Sequence, residues 1–243
     1  MKNTVQLISK DLKKLSTKPR RDICQKFFQT HKGGYGEGDV FMGVTVPDTR
    51  KIFAKYKNGI TLKEVQQLLK SKYHEERLIA LYFLDYLYKK SKTKDEKKKI
   101  FDIYIDNVGF KKGINNWDLV DTSAYHIAGD YIYNFLNKKE LKDFTDKCIS
   151  HKDMWMRRVI VVATFYQIKN HSNKEIFYIS KKLFKDEHHL IHKAIGWMLR
   201  ESGKRCSELD LISFIRENKE KMNRVTYSYA MERVRRSINI GSH

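Results

Sequence analysis

Three tryptophans stand beside charged residues at helical spacing, and any chemistry in this chain is sought there first. Trp117 is followed by Asp118 and, four residues on, by Asp121, one turn along the same helical face. Trp155 follows Asp153 and precedes Arg157 and Arg158, while Trp197 has Lys193 one turn before it and Arg200 with Glu201 one turn after. Indole faces attract cations, and a carboxylate nearby stabilises positive charge. The sharper reading sets an aromatic ring beside a charged group three times on the concave face of the fold. The plainer alternative is that each tryptophan fills core between helices and that Asp118 only favours the first turn of its helix. Asp121 lies further in, among Val120 and Ala124, and fits that alternative less well.

Other constellations are weaker. His188 and His192 stand at i, i+4, but the stretch is not HExxH and no third ligand suggests itself, so no metal is expected. The glycines of 33–38 follow no strand, which leaves no dinucleotide or P-loop fingerprint; no cofactor is expected. Tyr35 in that loop can lie over a nucleic-acid backbone or pack on the first helices. Cys24, Cys148 and Cys206 are scattered, which excludes a disulfide framework.

Charge narrows the partner. Lys plus Arg total 49 against 29 acids, a formal net charge of +20 over 243 residues, and such a surplus on a folded domain points to a polyanion. The lysines of 89–99 read as a solvated loop running into a helix. Arg157, Arg158, Arg200, Arg224 and the arginines at 233, 235 and 236 instead adjoin aromatic or apolar helical segments. No one-sided basic stretch faces exposed Leu or Trp, so nucleic acid is favoured over a membrane surface.

The elements that must position these residues are helices. Hydrophobic residues make up 41% and aromatics 12%, which excludes disorder, and 2 prolines with 12 glycines argue against a turn-rich all-β chain. Apolar periodicity is helical nearly throughout, beginning with amphipathic segments over Val5–Leu15 and around Ile23–Phe28, and Val46-Pro47-Asp48 opens a third helix. Five segments of similar pattern begin at 75, 117, 155, 191 and 225, each opening a strongly apolar helix separated from the next by a more amphipathic one. Segment 155–168 is apolar nearly all round, as an inner helix between layers should be. This spacing matches HEAT-type helix pairs. The expected fold is all-α: a curved solenoid of HEAT-like pairs with a basic concave face, one domain over 1–240, with 241–243 read as a tag remnant. With no apolar run of about 18 residues and no signal segment, a soluble, cytoplasmic (nucleoid-associated) monomer is expected.

The segments Gly36–Pro47, Asn116-Trp117-Asp118-Leu119-Val120-Asp121, Trp155-Met156-Arg157-Arg158 and Lys193–Glu201, taken in order, resemble the AlkD family of DNA alkylation-repair glycosylases. The resemblance runs from the first helix to Arg236. It implies a metal-free enzyme that hydrolyses the N-glycosidic bond of N3- or N7-alkylated purines in double-stranded DNA. It implies that Asp121 is the catalytic carboxylate, that Trp117 and Trp197 are the aromatic pair at the lesion, and that Arg158 contacts DNA. Trp155, Arg157, Lys193, Arg200, Arg50, Thr45 and Tyr35 complete the expected DNA-binding set, with the cations on phosphates. A non-catalytic solenoid binding damaged or branched DNA, and a repeat protein recruiting an acidic partner, are the alternatives. Neither needs an inward carboxylate at 121.

Overall fold

Caps and apolar stripes set the order of elements. The computed structural model describes residues 3–232 and 234, and these form helices and connectors with no strand among them. Arg233, Arg235 and Arg236, and the residues read as a tag remnant, lie outside the described residues. The chain divides into two compact units, Met1–Ser123 and Ala124–His243.

The first unit holds α1 (Thr4–Leu15), α2 (Lys18–Phe27), α3 (Val46–Tyr56), α4 (Leu62–Leu69), α5 (His74–Lys90), α6 (Lys94–Asp106) and α7 (Trp117–Ala124), whose last residue falls in the second. Local chemistry starts these helices. Thr45 caps α3, with Pro47 in the first turn, and Thr61 with Glu64, like Thr93 with Glu96, forms a reciprocal capping box for α4 and α6. The core gathers Ile8, Leu12, Val65, Leu68, Ile79, Phe83 and Tyr104 where α1, α3 and α4 pack on α5. α2 buries none of its residues, and Ile23 and Phe27 are exposed.

In the second unit a single π-turn, Tyr125–Gly129, leads into α8 (Asp130–Phe135). Then come α9 (Lys138–Ile149), α10 (Met154–Ala163), α11 (Phe165–Lys169), α12 (Lys174–Leu183), α13 (His189–Arg205), α14 (Glu208–Asn218) and α15 (Arg224–Ala230). α13 is central, packing on α10, α12, α14 and α15. Gly196 makes the approach to α15 possible, because a Cβ there would stand 2.8 Å from the Thr226 carbonyl oxygen. The five similar segments each open a helix within two residues of the expected position: α5, α7, α10, α13 and α15. One expectation needs correction. The apolar run 155–168 is not a single helix but breaks at Thr164, whose buried hydroxyl donates to the Val161 carbonyl at 2.6 Å, a local bond that competes with the helical ladder.

Candidate functional site

The start of α7 is built from the loop before it. The Asn116 carbonyl accepts from Val120 N at 3.2 Å, and its side-chain oxygen accepts from Trp117 N at 2.9 Å. From there α7 turns Leu119 and Val120 fully into the core, while Trp117, Asp118 and Asp121 remain half-buried. Trp117 and Asp121, one turn apart, thus share the face that the core leaves.

Trp117 is fixed by aromatic stacking. Its ring stacks on Phe28 (5.3 Å, 18°), Phe28 on Phe41 (4.8 Å, 21°), and Phe41 on the His74 imidazole (4.3 Å, 22°). The Trp117 indole N–H donates to the Tyr35 oxygen at 3.3 Å, and the Tyr35 hydroxyl donates to the Phe27 carbonyl at 3.0 Å. The glycine loop therefore serves to hold the tryptophan.

His74 ends this stack in a buried ionic network that sequence reasoning missed. Its Nδ1 lies 2.8 Å from Asp39 Oδ2 and its Nε2 2.8 Å from Asp118 Oδ2. Arg77 Nη2 donates to Asp39 Oδ1 at 2.5 Å and to Asn115 Oδ1 at 3.2 Å. Burial alone would push the His74 pKa down, but the Asp118 and Asp39 carboxylates outweigh it and hold the value up at about 9. Burial likewise disfavours ionised Asp39, yet His74 and Arg77 hold it down at about 2. A buried imidazolium thus clamps the 39 loop and the first turn of α7 together, with both ring nitrogens donating. Next to it, the buried Glu75 carboxylate accepts from Met42 N and Gly43 N at 2.8 Å and from Val44 N at 3.2 Å. The available signal was the run His74-Glu75-Glu76-Arg77 at the head of a core helix, since four successive polar residues placed there need partners.

At the other side of α7, Tyr104 meets Ser123 Oγ at 3.1 Å. Its hydroxyl is pushed well up by burial, with the Asp121 charge adding to the rise.

The remaining candidates divide between the units. In the first, Thr45 is an N-cap whose hydroxyl donates to Asp48 Oδ2 at 2.7 Å, and exposed Arg50 lies 5.9 Å over the Tyr82 ring. In the second, Trp155 is 1% exposed, so the core-filling account describes it and it presents no ring to DNA. Arg158 is 5% exposed and donates to the Leu190 carbonyl at 2.5 Å, which puts its guanidinium in the interior. Arg157 forks onto Asp186 (2.6 and 3.3 Å) and donates to the His151 and Lys152 carbonyls. Arg200 pairs with Glu232. Trp197 is half-buried, 6.5 Å from Phe165, and half-buried Lys193 makes no ion pair among the described residues. His192 places Nε2 2.7 Å from the Asp186 carbonyl, and His188 caps α13 by accepting from Leu190 N. Burial and its neighbour His189 lower the His188 pKa to about 4.

Comparison with known proteins agrees with this frame. A solved structure of a predicted DNA alkylation repair enzyme from Enterococcus faecalis shares the fold, with a TM-score of 0.66 at 15% identity over 89% of this chain and 95% of that one. No curated protein sequence matches. The family model for DNA alkylation repair enzymes matches residues 8–234. That span takes in both units and every candidate residue above, and the chain belongs to the DNA alkylation repair enzyme family.

Proposed function

We propose that the protein is a monofunctional DNA glycosylase that hydrolyses the N-glycosidic bond of N3- or N7-alkylated purines in double-stranded DNA. One observation carries this reading within the family: α7 keeps a carboxylate and an indole, Asp121 and Trp117, on one half-buried face, and a buried ionic clamp holds the start of that helix.

An alkylated purine of this kind already carries a positive charge. When its bond to the deoxyribose breaks, the electron pair moves to the base, which leaves neutral and needs no general acid. Positive charge moves onto the sugar, which becomes oxocarbenium-like. A carboxylate near that carbon gains interaction as the charge develops, the differential stabilisation that catalysis requires. The same carboxylate orients a water, whose oxygen bonds to the sugar carbon while its proton passes to solvent. Trp117, on the same face of α7 as Asp121, offers its indole to the cationic nucleotide, worth about 0.5–2 kcal/mol.

Asp121→Asn tests the assignment, because it keeps shape and removes charge. The expected result is a loss of about a hundredfold or more in single-turnover excision from a 7-methylguanine duplex, with melting temperature and DNA affinity unchanged. A wild-type rate in the Asn variant would end the catalytic role.

A further inference from the structure

A cleft of about 440 Å³ lies wholly within the first unit, between the α4–α5 turn and the loop that leads into α7. Lys70 and Lys72 line it from the first segment and Lys111 and Lys112 from the second; Arg77 and Asn115 also line it. All four lysines are exposed. Two carboxylates share the cleft. Asp39 is already bonded to His74 and Arg77, and Asp106 is exposed, so positive charge is left in surplus.

The chain brings these like charges together by construction. At Gly113 a Cβ would stand 2.4 Å from the Leu69 carbonyl oxygen, so only glycine lets the second loop abut the end of α4. The turn just before it is closed by Lys112 N donating to the Gly109 carbonyl at 3.0 Å, with Lys111 at φ +62°, a conformation unusual for a side chain of that size. Arg77 adds a guanidinium held in place: Nη1 donates to the Ser71 and Lys72 carbonyls and Nη2 to Asp39 and Asn115. Its Nε is buried with no hydrogen-bond partner among the described residues. Four exposed lysines, of which Lys112 Nζ also donates to the Asp106 carbonyl at 3.0 Å, outnumber the two carboxylates once Arg77 is paired with Asp39, and that surplus suits a phosphate group.

We propose that this cleft seats a phosphate of the DNA backbone, a contact separate from the α7 face and carried by residues outside the expected DNA-binding set. The inference rests on DNA as the partner and is independent of the excision chemistry.

The experiment compares two charge-matched variants for binding to an undamaged, labelled duplex by fluorescence anisotropy across a salt series. One carries Lys70→Gln, Lys72→Gln, Lys111→Gln and Lys112→Gln; the other carries Lys92→Gln, Lys94→Gln, Lys98→Gln and Lys99→Gln, all exposed residues of the lysine-rich run. The cleft variant is expected to lose about tenfold more affinity than the control. Its slope of log affinity against log salt should be shallower than the control's by about one, the value for one phosphate. Inorganic phosphate at constant ionic strength should compete with the duplex for the wild type and not for the cleft variant. Equal losses in the two variants overturn the cleft and leave DNA binding standing. Phosphate competition without any selective loss of duplex affinity also overturns the proposal, in favour of a free-anion site. A wild-type chain that does not bind duplex overturns both this inference and the reading of DNA as partner.

Discussion

His74 shows how one residue couples charge to stability. Its imidazole donates to two carboxylates from separate segments, and its pKa is raised to about 9. A raised folded-state value means that the stabilisation is fully present below the unfolded value of about 6.5 and is lost as pH rises through about 9. Asp39, held down at about 2, works in the opposite sense: its contribution is present above the unfolded value of about 3.9 and is lost as pH falls through about 2. Urea unfolding from pH 6 to 9.5 should therefore show a steep alkaline decline in the wild type. Asp118→Asn, which removes one of the two partners, should flatten it; parallel curves would refute the clamp. The chain signals only that the run at 74–77 needs partners; which ones could not be read, because those of His74 stand 35 and 44 residues away. The same limit hides the partners of Arg157 and Arg158. Both adjoin an aromatic helix as expected, and Arg157 forks onto Asp186 while Arg158 donates to the Leu190 carbonyl, about 30 positions onward.

Elements were far more legible than partners. Helical period, with Pro47 for α3, locates the starts of α3, α5, α7, α10, α13 and α15, because those signals lie within a few residues of the features they create. The face of α7 was also legible, since Leu119 and Val120 separate Asp118 from Asp121 in an apolar pattern. The break at Thr164 was not, because a threonine mid-helix bonds its own backbone in some places and solvent in others. Backbone geometry decides the 42–44 segment. Gly43 has φ +85°, and a Cβ there would stand 2.5 Å from Thr17 O and Arg21 N, both backbone atoms. Gly43→Ala should cost about 2 kcal/mol or more, read as a lower urea midpoint with unchanged far-UV dichroism at low denaturant. A midpoint equal to the wild type's would show that α2 can move away without loss.

At the scale of the molecule, +20 of net charge says little about chemistry until it is divided. Several lysines are paired locally, as Lys89 with Asp85, Lys98 with Asp102 and Lys142 with Asp146, and such exposed pairs contribute little. No helix among the described residues is long and apolar enough to cross a membrane. The reaction proposed above draws its driving force from the substrate's own cation. A leaving group that departs neutral needs no Lewis acid, and hydrolysis by water leaves no enzyme–sugar bond. Excision of 7-methylguanine should accordingly keep its rate in EDTA and yield an intact abasic strand, with no adduct trapped by borohydride. A trapped adduct, or a rate that falls with chelation and returns with metal, would require a different mechanism.

Glu75 lends itself to one more experiment. Three consecutive amides converge on its carboxylate, an arrangement in which successive N–H groups form a concavity suited to an anion. The protein has thus made a receptor and tethered the guest to its own α5. Glu75→Ala would cut the tether and leave the receptor vacant, with three buried donors unmet. Formate or acetate, added at tens of millimolar, should then enter as a free guest and raise the melting temperature of the variant while leaving the wild type unchanged. Chloride at equal ionic strength, lacking two oxygens to share among three donors, should restore much less. If formate and chloride act alike, the 42–44 segment does not keep its shape without its side-chain guest.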